Sequence, residues 1–153
     1  MTVEFRLASR RDVPAILELL ADDEISRDRG FGAVPEEVDA ATWAAFEAID
    51  ADPRNELIVA DHDGEVVGTC QLTFVPGLSR GGAERMTIEA VRVRSDQRGR
   101  GLGRQLLAYA LTRARERGCR MAQLTTDKRR TEAHRFYASL GFTPSHEGMK
   151  LTL

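Results

Sequence analysis

EAVRVRSDQRGRGLGRQLLAY, residues 89–109, runs from an alternating strand through a glycine turn into an amphipathic helix. Gly99, Gly101 and Gly103 lie in the turn, with Arg98, Arg100 and Arg104 between and beside them. The first amides of a helix have no partner inside it, and the positive end of the macrodipole points the same way. Glycine lets a phosphate approach the backbone closely, and arginine adds bidentate, charge-assisted hydrogen bonds. This pattern predicts a cradle for a pyrophosphate.

The strand before the turn carries a second signal. Met86 and Ile88 put its apolar face on even positions, whereas Val91 and Val93 put it on odd ones. A strand changes phase only by inserting a residue, so a β-bulge is predicted around residues 89–91. A bulge there would free backbone groups for a ligand just upstream of the cradle.

Upstream, Val3, Phe5 and Leu7 alternate with charged residues as in a half-buried strand. Asp12 is placed to cap a helix bearing Val13, Ile16, Leu17 and Leu20, with Pro14 in its tolerant first turn. Residues 22–34 read as a loop. Pro35 is expected to start a second helix with Val38, Ala41, Ala45 and Ile49 on one stripe and Trp43 and Phe46 beside it, ended by Asp52-Pro53. Residues 57–61 and 66–75 flank His62-Asp63-Gly64-Glu65 as a hairpin, and residues 76–83 form a flexible connection.

Downstream, Leu102 to Arg117 is a helix burying Leu106, Leu107, Ala110, Leu111 and Ala114, stopped by Gly118. Met121 to Thr125 is a short strand. Thr131 is expected to cap a helix presenting Ala133, Phe136, Tyr137 and Leu140, ended by Gly141. Met149 to Leu153 is expected to be a final strand. The order implies helices packed on a mixed sheet within one domain spanning residues 1–153.

Composition is that of an ordinary globular protein, with a net charge of −2. No apolar run approaches the roughly 20 residues that span a bilayer, and MTVEFRLASR lacks the apolar core of a signal peptide. A cytoplasmic protein with no membrane partner is the expectation. Cys70 and Cys119 have no metal-ligand spacing, so core thiols and no metal are expected. Charge is uneven: residues 1–90 hold 8 Lys/Arg against 19 Asp/Glu, and residues 91–153 hold 14 against 5. Either two faces attract each other, or an anionic ligand sits on the second half and a cationic one near the first. A nucleic-acid partner is not expected, because the whole chain is acidic and its aromatics are not interleaved with arginine.

Three motifs in order are similar to the GNAT superfamily of acyl-CoA-dependent N-acetyltransferases. Arg98-Gly99-Arg100-Gly101-Leu102-Gly103 resembles that family's Arg/Gln-x-x-Gly-x-Gly/Ala signature. Glu89-Ala90-Val91-Arg92-Val93 resembles its Glu-x-hydrophobic-x-Val strand, and Ala133-His134-Arg135-Phe136-Tyr137 with Gly141-Phe142 resembles its ending. The resemblance implies an α/β GNAT (acyl-CoA N-acyltransferase) fold: a mixed, mostly antiparallel central sheet flanked by helices, with a β-bulge in the fourth strand.

It also implies acetyl-CoA as co-substrate and direct transfer to a primary amine of a small molecule. The backbone of Val91, Arg92 and Val93 would pair with the pantetheine arm. Residues 98–104, including Leu102, would hold the pyrophosphate. Glu89 is the implied base and Tyr137 the implied acid; a solvated face for Glu89 and a core role for Tyr137 are the rival readings. Where the family often has Asn, this chain has Arg130, placed to reach a phosphate. The ending from Lys128 to His146 is similar to that of aminoalkylphosphonate acetyltransferases, favouring an amine with an anionic group, whereas the acidic first half favours a cationic acceptor. The amine is expected between the loop after the first helix, the second helix and residues 76–83. A non-catalytic acyl-CoA-binding module, a protein-lysine or N-terminal acetyltransferase and a homodimer stay open.

Overall fold

Asp63 and Gly64 both take positive φ, 50° and 85°, which is the twist a two-residue hairpin turn requires. They join β2 (Asn55–His62) to β3 (Glu65–Val75), and the Asp61 carboxylate secures the turn by accepting from the Gly64 amide at 2.8 Å. The computed structural model describes residues 2–22 and 37–153. Around this hairpin lies a five-stranded sheet ordered β1-β2-β3-β4-β5, with β1 at Glu4–Leu7, β4 at Arg85–Val93 and β5 at Met121–Leu124. The first four strands pair antiparallel, and β4 pairs parallel with β5. Four α-helices flank the sheet among the described residues: α1 (Val13–Ala21), α2 (Ala40–Ala51), α3 (Leu102–Glu116) and α4 (Thr131–Ser139).

Period-two alternation gives the sheet two different faces. Ile58, Cys70, Leu72, Phe74, Met86 and Ile88 pack with Leu106, Leu107, Ala110 and Ala114 of α3 in the main core. Val59, one residue from Ile58, joins Ala8 and Ile16 of α1 in a separate cluster. Leu111 of α3 is only partly buried.

The bulge is where the change of phase placed it. Gln71 pairs with Glu89, but Thr69 pairs with Arg92, so β4 uses one more residue than β3 over this interval. Ala90 absorbs the extra step at φ 54°. Met86 and Ile88 before it and Val91 after it therefore pack on one core, and Val93 packs on the adjoining cluster.

Several boundaries differ from expectation. Pro35 and the loop at 23–34 fall outside the described residues; α2 starts at Ala40, where the Asp39 carboxylate accepts from the Thr42 amide at 2.8 Å. That is the stronger cap, and it leaves Val38 before the helix. Arg130, not Thr131, occupies the cap position of α4, and no side chain caps that end. Residues 149–153 form no strand: Met149, Leu151 and Leu153 are 94%, 84% and 111% exposed, with no strand beside them. The 76–83 connection contains a short 3-10 turn at Arg80–Gly82. No helix of the described residues is long and apolar enough to cross a membrane.

Asp12 precedes α1 as expected, yet its carboxylate does not cap that helix. It accepts from Arg6 Nη1 at 2.7 Å and Nη2 at 3.0 Å, and from the Ser9 amide at 2.7 Å. Arg6 also reaches Asp61, 2.9 Å from Nη2. The Arg6 guanidinium, opposed by burial, holds the Asp12 carboxyl at about 2 against an ordinary 3.8. A carboxyl depressed on folding stabilises the fold above its unfolded pKa, and that contribution is lost as pH falls towards the folded value. Asp12 is 4% exposed, so the effect is little screened. Asp12→Asn should lower the unfolding free energy at neutral pH by roughly 2 kcal/mol and flatten the loss of stability between about pH 4 and 2, read by denaturant titration across that range.

Candidate functional site

Beyond the Ile88–Leu124 pair, β4 and β5 part company. β4 continues to Val93 with no strand on that side among the described residues, and its chain then passes through a 3-10 turn at Ser95–Gln97 into the glycine stretch. Gly99 and Gly101 adopt φ of 77° and 81°, and a Cβ added to either would meet nothing within 4 Å. Both are left-handed positions on open surface. Gly101 stands at the cap of α3, which has no side-chain cap, and the first helical hydrogen bond runs from the Gln105 amide to the Gly101 carbonyl at 3.1 Å. The amides of residues 99–104 thus find no acceptor among the described residues. These are the open, positively polarised donors that a diphosphate needs.

The arginines divide their work. Arg98 donates from Nε to the Val93 carbonyl at 3.2 Å and from Nη2 to the Asp22 carbonyl at 3.4 Å, tying the turn to both β4 and the end of α1. Arg104 donates to Ser139 Oγ of α4 at 3.1 Å. Arg100 is exposed and has no such tie among the described residues. Leu102 is 1% exposed in a core cluster with Ala60 and Val67, so only its backbone can face a ligand. Gly103 differs from the other two: its φ is ordinary, and an added Cβ would stand 3.5 Å from Phe136 Cζ and 3.8 Å from Val93 Cγ2. Gly103 therefore marks where α3 closes on α4 and β4.

Tyr137 projects from α4 into the main core's margin, edge-on to Phe136 at 5.2 Å and Phe142 at 5.9 Å between ring centroids. Burial raises its phenol pKa above 10, while the cationic Arg92 and Arg130 pull it back. Tyr137 and Val91 of the bulged strand pack against the same core. Glu89 lies exposed on the opposite face of β4 from Ile88 and pairs with Gln71.

A kinked strand that parts from its neighbour and feeds an uncapped glycine helix start thus shares its core with Tyr137. The chain belongs to the acetyltransferase (GNAT) family. The family model matches residues 14–142. A solved structure described as a transcriptional regulator from Bacillus halodurans C-125 superposes with a TM-score of 0.94 at 45% identity, over 99% of this chain and 100% of that one. Among curated proteins, the chain is 37% identical over 95 residues to an aminoalkylphosphonate N-acetyltransferase of Salmonella typhimurium, covering 62% of this chain and 61% of that protein. It is 33% identical over 90 residues to a glucosamine 6-phosphate N-acetyltransferase of Trypanosoma brucei brucei, covering 59% of each. The matches thus span about three fifths of these curated relatives.

The sheet also carries a polar network on β2 and β3. Asn55, Gln71, Thr73 and Thr87 share the Glu89 face of the sheet. Asp52 accepts from Asn55 Nδ2 at 3.1 Å, so Asn55 Oδ1 is turned to accept from Thr73 Oγ1 at 2.9 Å and Gln71 Nε2 at 3.3 Å. A carboxylate can only accept, and it therefore sets the direction of both amides. Period-two polarity in β3 was the available signal. Gln97, beside the glycine turn and 9% exposed, keeps its Oε1 without a hydrogen-bond partner among the described residues; no sequence pattern marks it.

Of the two thiols expected in the core, Cys70 is wholly buried, with its pKa pushed up to about 12 by burial. Cys119 is half-buried, and its thiol pKa is also raised, chiefly by burial. The acceptor region is expected partly on residues 23–34, which lie outside the described residues. A depression of about 610 Å³ beside Leu19, Asp22, Gly64 and Arg94 contains neither Glu89 nor Tyr137.

The two glycines can be told apart by substitution. Gly101→Ala forces a side chain into left-handed backbone and should destabilise by about 1 kcal/mol. Gly103→Ala meets only ordinary contacts inside a helix and should be neutral or stabilising by up to about 1 kcal/mol. Denaturant unfolding of the two variants reads the difference.

Proposed function

We propose that this chain is an acetyl-CoA-dependent N-acetyltransferase acting on a primary amine of a small molecule, by direct attack in a ternary complex. One observation carries the reading most: β4 bulges at Ala90 as it leaves β5, and soon after its end comes a helix start with open amides. The residues fit acetyl-CoA. Open φ-positive glycines leave room for a pyrophosphate at the amides of residues 99–104, with Arg100 and, after release of their present contacts, Arg98 and Arg104 supplying charge. Arg130 at the head of α4 supplies more. The backbone of Val91, Arg92 and Val93, unpaired with β5, is suited to receive the pantetheine arm as an added strand.

Acetyl-CoA supplies an acetyl group already activated as a thioester. An amide at the bulge polarises the carbonyl as charge develops on its oxygen. An alkylammonium has a pKa near 10, so it must lose a proton before attack; Glu89, exposed on the polar face, takes it directly or through water. Tyr137 gives a proton to the departing sulfur. Its raised pKa keeps the phenol protonated throughout the neutral and mildly alkaline range, which is the state an acid needs.

The acceptor reading is sharpened by the relatives. An aminoalkylphosphonate and a glucosamine 6-phosphate are both amines carrying an anionic group, and this chain places Lys128, Arg129 and Arg130 just before α4. Arg129 is engaged with Asp127 at 3.1 Å, whose carboxylate moderates the cluster. These features favour an anionic amine over a polyamine.

Thiol release from acetyl-CoA across an amine panel tests the proposal. An aminoalkylphosphonate or phosphorylated amino sugar should be turned over at least about 10-fold more efficiently than a polyamine or a lysyl peptide; the reverse order would transfer the reading to a cationic or protein acceptor. With the best amine, Glu89→Gln should lower kcat roughly 100-fold or more with acetyl-CoA binding intact, and Tyr137→Phe should lower it by about 10-fold or more. If binding persists with no turnover of any amine, the chain is an acyl-CoA-binding module. If turnover ignores both substitutions, Glu89 is not the base and Tyr137 is not the acid.

A further inference from the structure

One row of side chains crosses four strands on the Glu89 face of the sheet. Asn55 of β2 stands opposite Thr73 of β3, Thr73 opposite Thr87 of β4, and Thr87 opposite Gln123 of β5. Three strand spacings make the row roughly 14 Å long, and along β4 it lies two residues, about 7 Å, from Glu89. Two amides and two hydroxyls fill it, with no charged and no apolar side chain among them. Asn55, Thr73 and Thr87 are half-buried, and Gln123 is exposed. That composition fits neither ordinary use of a sheet face. A face packed beneath a helix is filled with apolar residues, as the α3 side is here, and a face left to water takes charged side chains freely.

The row is also oriented. The Asp52 carboxylate can only accept, so it receives Asn55 Nδ2 and turns Asn55 Oδ1 to the Thr73 hydroxyl and to Gln71 Nε2. At the other end Gln123 Nε2 donates to Thr87 Oγ1 at 3.1 Å, which leaves the Thr87 hydroxyl proton without an acceptor among the described residues. Gln71 Oε1 and Gln123 Oε1 have no donor among the described residues. What the face offers a ligand next to the Glu89 carboxylate is therefore neutral: amide oxygens that accept and a hydroxyl that donates.

We infer that this row reads hydroxyl groups, and that the acceptor is a polyhydroxylated primary amine with its amine at Glu89 and its hydroxyls along Gln71, Thr87 and Gln123. The inference rests on the acyl-transfer reading for the place of the amine. A hydroxyl both donates and accepts, so it can meet an amide oxygen and a threonine hydroxyl at once. An alkyl chain laid on the same row would strip water from those groups and return no hydrogen bond. Of the two kinds of anionic amine, the phosphorylated amino sugar is thereby preferred over the aminoalkylphosphonate.

Two amines of the same charge type test this: an amino sugar phosphate and its acyclic counterpart without hydroxyls, an aminohexyl phosphate. Calorimetry with CoA present reads acceptor binding without transfer. The amino sugar phosphate should bind at least about 10-fold more tightly, the strength of one or two neutral hydrogen bonds. Thr87→Val keeps the shape of the side chain and removes its hydroxyl; combined with Gln71→Leu, it should bring the ratio to within about 2-fold. Thr87→Ser, which keeps the hydroxyl, should keep the preference. Equal affinities, tighter binding of the aminohexyl phosphate, no binding of either, or a preference indifferent to the Thr87→Val and Gln71→Leu pair would each overturn the inference. A preference that holds while no amine is acetylated would leave hydroxyl recognition standing and remove the transfer reading.

Discussion

A single residue, Ala90, holds the two halves of the site in register. Left-handed backbone costs a non-glycine residue about 1–2 kcal/mol, and Ala90 adopts it at φ 54°. The alternative is worse. Without the inserted step, Val91 and Val93 would turn to the polar face and Arg92 would be driven at the core. Burying even part of two valines is worth roughly 2 kcal/mol, and keeping a guanidinium out of an apolar core is worth several more. Core packing therefore imposes the bulge, and the bulge puts Glu89 on one face and Val91 on the other within two residues.

The same division explains the helix that follows. Leu102, Leu106 and Leu107 sink fully into the core, fixing the rotation of α3 about its axis. At Gly103 α3 meets Phe136 of α4 and Val93 of β4, and Tyr137 packs against the same core as Val91 of the bulged strand. What remains outside is the helix's own first turn, with its unpartnered amides. An ordinary helix would cover them with Ser, Asp or Asn at the cap. This one has Gly101, which offers conformational freedom and no competing oxygen.

Local signals in the sequence carried most of this. The phase change in β4, the Asp63-Gly64 turn and the stops at Gly118 and Gly141 each depend on a few adjacent residues, and each lies where the pattern placed it. Failures came where the deciding partner is remote or absent. Asp12 looks like a cap because Arg6 and Asp61 cannot be seen to converge on it from their spacing. The Asn55–Gln71–Thr73 network joins two strands and the end of α2. Thr131 is a better cap than Arg130 by propensity, but the chain's path into α4 put the basic residue there. Residues 149–153 have the right alternation for a strand, yet alternation states only that a partner is wanted, not which one.

The two faces of β4 then account for how donor and acceptor chemistry can share one strand. On the α3 side the strand packs Met86, Ile88 and Val91 into the main core, a low-dielectric flank beside which backbone groups exposed by the bulge are strengthened towards a carbonyl. On the other side, Asp52 fixes Asn55, and Asn55 accepts from Gln71 Nε2 and so orients that amide. Gln71 itself stands directly across the ladder from Glu89. Two acceptors of different charge on neighbouring strands suit a group that arrives as an ammonium and must attack as a neutral amine: the carboxylate can take a proton, and the amide can hold another without titrating. A second carboxylate in place of Gln71 would hold the cation more tightly but would raise the basicity of its neighbour and keep the proton. In the proposed reaction, where Glu89 is the base, the neutral amide is the better companion for a group that has to release its proton.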